Sequence, residues 1–184
     1  MTTPLVRAGA VAAPALMFGY GTLRLLDGMD GHYHKGSLLW NAGHVMFFAA
    51  IVLLAAMAVA ARALLPLRDV TNRLVTDLAV VATVAGSVAF LWVITGDLNP
   101  GFPALPDALQ TAGPAAFQLG LLALLVQLVR GRRLPAWSPV AVLFAFLLII
   151  VSLDLIPLGG ILLFVGLLPL AGVARAANHG PRAA

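Results

Sequence analysis

The residues best suited to acid–base or metal chemistry are concentrated in one short segment. Asp27, Asp30, His32, His34 and His44 fall within eighteen positions, and this segment holds three of the four histidines in the chain. Imidazole is the side chain that changes its charge near neutral pH, and carboxylates can exchange protons with it or bind metal ions beside it. The pattern predicts that any such chemistry of this protein involves this segment.

His32 and His34 are two residues apart in a segment predicted to be an outer loop. In an extended conformation both imidazoles point to the same side, where they could bind a divalent metal such as zinc together with Asp27 or Asp30. The alternative is an ordinary solvated loop, in which histidines near aspartates are common. The chain has no cysteine, which excludes disulfides and thiolate ligands for zinc.

His44 is predicted to lie about two helical turns inside an apolar span that begins near Ser37. Asn41 and Ser37 precede it by three and seven positions, which places all three polar side chains on one helix face. An ionisable residue within a membrane span indicates a functional site that faces the bundle interior. The alternatives are a hydrogen bond that only joins two helices and a contact with a lipid headgroup.

Three aspartates, Asp27, Asp97 and Asp154, stand at the ends of apolar stretches. Asp97 and Asp154 each begin the pattern Asp-Leu-x-Pro, and Asp154 is the only charged residue between positions 134 and 174. An aspartate at the bilayer centre costs about 2.5–3.5 kcal/mol, so each of these carboxylates is predicted to lie at a membrane boundary. The three aspartates end the first, third and fifth predicted spans, which cross the membrane in the same direction, so the boundary is the same for all three. The alternative to a ligand-binding role is a turn or a helix cap, which aspartate before glycine or proline commonly provides.

Arg24 adds a cation to this group, because it lies about one helical turn before Asp27. The spacing predicts an ion pair between the two side chains. The guanidinium could instead bind a lipid phosphate through two hydrogen bonds. Asp27, Arg24, Asn41 and Ser37 are therefore the predicted ligand-binding residues.

Membrane-spanning helices are required to position these side chains. Of the 184 residues, 61% are hydrophobic and 10% are charged, whereas a soluble domain of this size needs more charge to cover its surface. Apolar stretches of about 20 residues recur, each long enough to cross a hydrocarbon core about 30 Å thick. The sequence predicts an all-α fold, a single transmembrane domain over residues 1–184 formed by six helices. The predicted spans are about 8–26, 37–61, 74–96, 108–129, 135–155 and 158–174.

The basic residues are divided unevenly between the two sides of this predicted bundle. Only Arg24 and Lys35 fall on one side, and nine of the eleven fall on the other. The positive-inside rule therefore predicts a bacterial plasma membrane protein with both termini in the cytoplasm. Nucleic acid is not expected as a partner, because the basic residues are spread over short loops. The nine are Arg7, Arg62, Arg68, Arg73, Arg130, Arg132, Arg133, Arg175 and Arg182.

The sequence contains no nucleotide-binding loop and no motif of the zinc proteases or serine hydrolases. We therefore expect either an accessory subunit of a larger membrane complex or homo-oligomer, or a protein that binds a lipid or small molecule. In the second case Asp27, His44, Asp97 and Asp154 would line a polar pocket that opens outward. Membrane lipids are expected partners in both cases.

Two further activities are compatible with the same residues. The first is a carrier, or the substrate-binding subunit of a transporter, although the inner halves of the spans have few polar residues. The second is an intramembrane enzyme that acts on a lipid-like substrate. In that enzyme His44 and Asp154 would serve as general acid and base, and Asp97 is a further catalytic candidate.

Overall fold

The computed structural model describes residues 2–65 and 70–178, with side chains described from residue 3 to residue 174 of these ranges. Within them the chain forms six α-helices and two short 3-10 segments, so the prediction of an all-helical chain is confirmed. The 3-10 segments are Arg62–Leu64 and Leu153–Leu155. The helices are α1 Thr2–Asp27, α2 Leu38–Ala61, α3 Val70–Leu98, α4 Asp107–Arg130, α5 Trp137–Val151 and α6 Ile156–Asn178.

Five apolar segments of the described chain, formed by α1, α2, α3, α4 and α6, are long enough to cross a membrane. The exception is α5, whose 15 residues extend about 22 Å and fall short of a hydrocarbon core about 30 Å thick. The sequence predicted a longer fifth span, up to residue 155. The helix ends earlier because Ser152 adopts an extended backbone and its hydroxyl accepts a hydrogen bond from the Asp154 amide. The chain is therefore a membrane-compatible helical protein, and a count of six spans remains a prediction.

The helices pack in chain order around a common interior, and α1 also packs against α6, which closes the ring. A series of aromatic rings crosses this interior from α1 to α5. Tyr20 stacks on Phe47 with 4.6 Å between ring centroids, and three edge-to-face pairs continue the series. Such pairs stabilise a core beyond the area they bury. The remaining rings are Phe90, Phe117 and Phe146.

The contact between α3 and α4 depends on glycine. A Cβ atom on Gly86 would lie 2.7 Å from the Cα of Phe117, and one on Gly120 would lie 2.6 Å from the backbone nitrogen of Thr83. Small residues allow helix backbones to approach this closely within a membrane. Gly86 and Gly120 thus allow α3 to pack directly against α4.

Alternation of helix direction gives the bundle two ends. The end that carries Asp27, Asp97 and Asp154 is called the aspartate end, and the opposite one the arginine end. Along α1, Arg7 and Asp27 are 20 residues apart, which corresponds to about 30 Å, the thickness of a hydrocarbon core. The described arginine end carries Arg7, Arg62, Arg73, Arg130, Arg132 and Arg133, whereas Arg68, Arg182 and the side chain of Arg175 lie outside the described parts of the chain.

Candidate functional site

The second half of the loop between α1 and α2, residues 28–37, is bonded to Asp27 at the end of α1. The Ser37 hydroxyl donates to Asp27 Oδ1 at 2.7 Å, and the His34 amide donates to Asp27 Oδ2 at 2.9 Å. The same Ser37 oxygen accepts from the Trp40 amide at 3.0 Å and so caps α2. Asp27 is 6% exposed. This carboxylate therefore joins the end of α1 to the beginning of α2.

The same loop also binds the other two aspartates. The Lys35 ammonium donates to Asp97 Oδ1 at 3.1 Å, and the Tyr33 hydroxyl donates to Asp154 Oδ1 at 2.9 Å. The loop thus connects α1, α3 and the 3-10 segment before α6, and the three aspartates lie at one end of the bundle. These pairs are 62 and 121 residues apart in the chain.

His44 is buried under this loop, with 3% of its surface exposed. Its Nδ1 lies 2.8 Å from the Trp40 carbonyl oxygen, and its Nε2 lies 3.7 Å from Asp97 Oδ2. A carbonyl only accepts, so Nδ1 must carry a proton. If the ring is neutral, the lone pair of Nε2 points at the Asp97 carboxylate. If the ring is protonated, its positive charge is attracted to that carboxylate. The imidazole is further enclosed by the rings of Trp40, at 4.2 Å between centroids, and Tyr20, at 5.3 Å.

Asp97 contacts three residues of this end of the bundle. Its carboxylate faces Lys35 and His44, and its backbone carbonyl accepts from the Trp40 indole at 3.1 Å. Asp97 also lines a small surface pocket of about 180 Å³ between the end of α3 and the beginning of α4. The other lining residues include the aromatic pair Trp92 and Phe102, whose centroids are 4.9 Å apart, and the amide side chain of Gln110.

Two of the predicted ligand contacts are arranged differently in the structure. Asn41 is exposed, and its amide donates to the Gly36 carbonyl rather than facing His44. The Arg24 guanidinium forms no ion pair with Asp27 and lies over the Tyr33 ring, 4.1 Å from its centroid. Helix spacing predicted that Asn41 would lie beside His44 and Arg24 beside Asp27, but residues of the loop are closer partners for both side chains.

Asp154 is likewise not brought to His44. Its carboxylate accepts from the Tyr33 hydroxyl, and the ring of Tyr33 stands 6.3 Å from that of Trp40, which in turn covers His44. The carboxylate nearest the imidazole is that of Asp97. A general acid–base pair built on His44 would therefore use Asp97 in this conformation.

The predicted metal ligands form a small solvated cluster. The His32 amide donates to Asp30 Oδ1 at 3.0 Å, and His34 Nε2 lies 3.5 Å from Asp30 Oδ2. The His34 and Asp30 side chains are both more than half exposed. Over residues 2–65 and 70–178, no three histidine or acidic side chains are close enough together to hold a metal ion. A zinc site at His32, His34 and Asp30 stays a prediction that would require the loop to rearrange.

Three further residues of this site, Tyr33, Lys35 and Trp40, were not among the predicted site residues. Two signals were available: Lys35 is the only lysine in the chain, and Trp40 precedes His44 by one helical turn. The Asp154 carboxylate raises the pKa of the Tyr33 phenol, first because the hydroxyl donates to it, with partial burial adding to the effect. Ionised Tyr33 would place two negative charges together.

The aspartate end of the described chain carries five aspartates but only two permanently basic side chains, Arg24 and Lys35.

No known protein family matches the chain, and no curated protein or solved structure is detectably similar to it.

A carboxylate beside aromatic rings is suited to bind a cation, because the face of an aromatic ring attracts positive charge.

Proposed function

We propose that this is a multi-pass protein of a bacterial plasma membrane that binds a small organic cation on its outer side. Asp97 is the counter-ion of this site, and Trp92 and Phe102 form its aromatic wall. The positive-inside rule supports an arginine end in the cytoplasm, which directs the pocket outward. The protein would act as a binding protein, either alone or as the accessory subunit of a larger membrane complex.

The observation that carries this proposal is the contact between Lys35 and Asp97. The Lys35 side chain is 69% exposed and comes from a loop, yet its ammonium lies 3.1 Å from Asp97 Oδ1. The Asp97 carboxylate is therefore accessible to an ammonium group, which reaches it from the loop although Lys35 does not itself line the pocket. An exposed ion pair contributes only about 0–1 kcal/mol, so a ligand that also contacts aromatic rings can displace it.

The size of the pocket limits the class of ligand. Its volume of about 180 Å³ is below the range of about 300–1,000 Å³ that is typical of sites for drug-sized molecules. Methylated or short alkyl ammonium ions fit this limit, whereas a whole lipid does not. His44 contributes from the buried side of Asp97, where it helps to orient the carboxylate.

Binding of tetramethylammonium and choline to the detergent-purified protein tests this proposal, with tryptophan fluorescence and thermal shift as readouts. Asp97→Asn should abolish binding because the counter-ion is lost. Lys35→Gln should strengthen it by about threefold to fivefold, because an internal competitor worth up to about 1 kcal/mol is removed. Sodium chloride at equal ionic strength is the control for screening.

Asp107→Asn provides the matched variant, because it removes an exposed carboxylate from the same end of the bundle. Asp107 does not line the pocket beside Asp97. It should bind the cations as the unmodified protein does. The proposal fails if Lys35→Gln weakens binding, or if Asp107→Asn and Asp97→Asn have the same effect.

A purely structural accessory subunit is the second candidate, and a specific observation favours it. Asp27, Asp97 and Asp154 each already accept a hydrogen bond from a side chain of the loop, which joins the helix ends at this end of the bundle. In that case, Asp97→Asn and Asp154→Asn would both lower the melting temperature, and neither ammonium probe would bind. The carrier and enzyme alternatives receive less support, because aromatic rings fill the interior and Asp154 is held away from His44.

A further inference from the structure

The seam between α1 and α6 carries an apolar groove at the arginine end. The groove has a volume of about 830 Å³, and a second hollow of about 300 Å³ continues along the same seam and shares Phe164 with it. The first volume lies within the range of about 300–1,000 Å³ that is typical of ligand sites. The polar side chains of the lining are those of Thr3 and Arg7 at its mouth.

Small residues create this groove. Ala8 and Ala12 on α1 face Ala171 and Gly172 on α6, where larger side chains would fill the seam. A Cβ atom on Gly172 would meet no other atom within 4 Å, so the space beside it is open. Exposed apolar side chains occur on every helix of this chain, so exposure alone indicates no ligand. The concave shape together with a cation at one end distinguishes this seam.

The length and depth of the groove match one leaflet of a bilayer. Arg7 is about 30 Å along α1 from Asp27, which places the guanidinium at the edge of the hydrocarbon core. From Arg7 to Phe18, the far end of the second hollow, the helix rises by about 16 Å. Half of a hydrocarbon core is about 15 Å thick. The seam thus runs from the headgroup region to the bilayer midplane.

We infer that this groove binds an anionic phospholipid, with one acyl chain in the seam and its phosphate on Arg7. A guanidinium binds phosphate oxygens through two parallel hydrogen bonds. Six arginines and one aspartate lie at the arginine end of the described chain, so its field favours a lipid with net negative charge. This site lies at the opposite end of the bundle from Asp97, so it stands independently of the proposed cation binding.

Lipid retention by the full chain tests this inference. The detergent-purified protein is incubated with phosphatidylglycerol or with diacylglycerol, which has the same tails but no phosphate, and bound lipid is measured by mass spectrometry after gel filtration. We expect retention of phosphatidylglycerol over diacylglycerol. Arg7→Gln should reduce the retained phosphatidylglycerol by about fivefold, the effect of one basic residue near a membrane surface.

Gly172→Leu should reduce retention as well, because its side chain would extend into the groove from a position where a Cβ atom meets no other atom within 4 Å. Two control variants should retain as much phosphatidylglycerol as the unmodified protein. Arg133→Gln removes the same charge from the same end. Gly96→Leu adds the same side chain at another glycine with open space, which lines the Asp97 pocket and lies away from the seam, so only lipid retention is compared. Arg7 is exposed, so its replacement should not prevent folding, and Arg7→Lys, which keeps the charge, should retain most of the lipid.

Three results would overturn the inference. An equal loss in Arg133→Gln would show diffuse attraction to the surface, and full retention by Gly172→Leu would show that the seam is not the site. A change in oligomeric state caused by Gly172→Leu, with lipid retention unchanged, would assign the groove to a second copy of the chain.

Discussion

At the aspartate end, a ten-residue loop bonds to three carboxylates that come from distant parts of the chain. At the arginine end, the Arg62 guanidinium pairs with Asp77 through two hydrogen bonds, and a groove stays open between α1 and α6. The aspartate end is therefore closed by short carboxylate side chains that accept hydrogen bonds from several donors of the loop. The other end carries long cationic side chains that are largely solvated.

This difference follows from the chemistry of the two side chains. Aspartate is short and accepts hydrogen bonds only, so the chain must bring donors to it, and the loop from residue 28 to residue 37 does so. Arginine can extend its charge into the headgroup region while its stem covers apolar surface. Acidic residues therefore organise the tertiary contacts of the aspartate end, whereas most arginines of the described chain are exposed at the opposite end.

The largest effect is expected from removing the Asp27 carboxylate at the aspartate end, compared with the Asp77 carboxylate at the arginine end. Asp27→Ala deprives the Ser37 hydroxyl and the His34 amide of their common acceptor. Because two bonds to a charged acceptor are lost, the melting temperature in detergent should fall by about 5–10 °C. Asp77→Ala removes a partly solvated pair with Arg62 and should lower it by about 2 °C at most. Equal losses would contradict the difference between the ends.

An intermediate effect is expected from exchanging a buried polar side chain for leucine at each end. His44→Leu removes the bond to the Trp40 carbonyl and leaves Asp97 with Lys35 alone, so the free energy of unfolding should fall by about 1 kcal/mol. Gln127→Leu should stay closer to the unmodified protein, because the long contact with Arg130, at 3.3 Å, is the hydrogen bond found for the Gln127 side chain among the described residues. Denaturation in mixed micelles measures the free energy of unfolding of both variants. A larger loss for Gln127→Leu than for His44→Leu would contradict the expected difference between the two ends.

The smallest effect concerns the Tyr33 hydroxyl. Its bond to Asp154 raises the pKa of Tyr33 above the ordinary value of 10, so the stability that it contributes is present below about pH 10 and is lost as the pH rises through the folded-state pKa. In a Tyr20→Phe background, Tyr33 is the only tyrosine, and its absorbance should titrate above pH 10. Asp154→Asn should move the midpoint back toward 10. An unchanged midpoint would show that the hydroxyl does not donate to Asp154.

The helices were largely predictable because hydropathy reports burial in hydrocarbon. The second span was predicted at 37–61 and the helix covers Leu38–Ala61, while the fourth was predicted at 108–129 and the helix covers Asp107–Arg130. α1 and α3 extend beyond their predicted spans, because a helix continues through polar residues where the backbone remains hydrogen-bonded. α5 is shorter than predicted, because a local bond at Ser152 competes with the helix.

The partners of the site residues were not predictable in the same way. Helix periodicity placed Asn41 beside His44, but Asn41 binds a loop carbonyl instead. The bond from Tyr33 to Asp154 joins residues 121 positions apart, and no local pattern encodes such a pair. Which of several aspartates reaches His44 depended on how α2 and α3 pack.

The sequence by itself determined a helical, membrane-compatible chain with acidic and basic residues at opposite ends of its apolar stretches, because these properties depend on side-chain type and order alone. Only the tertiary structure decided that Asp97 lies between Lys35 and His44, and that a groove opens beside Arg7. Those features depend on distances between helices, which small residues such as Gly172 and loop bonds set together.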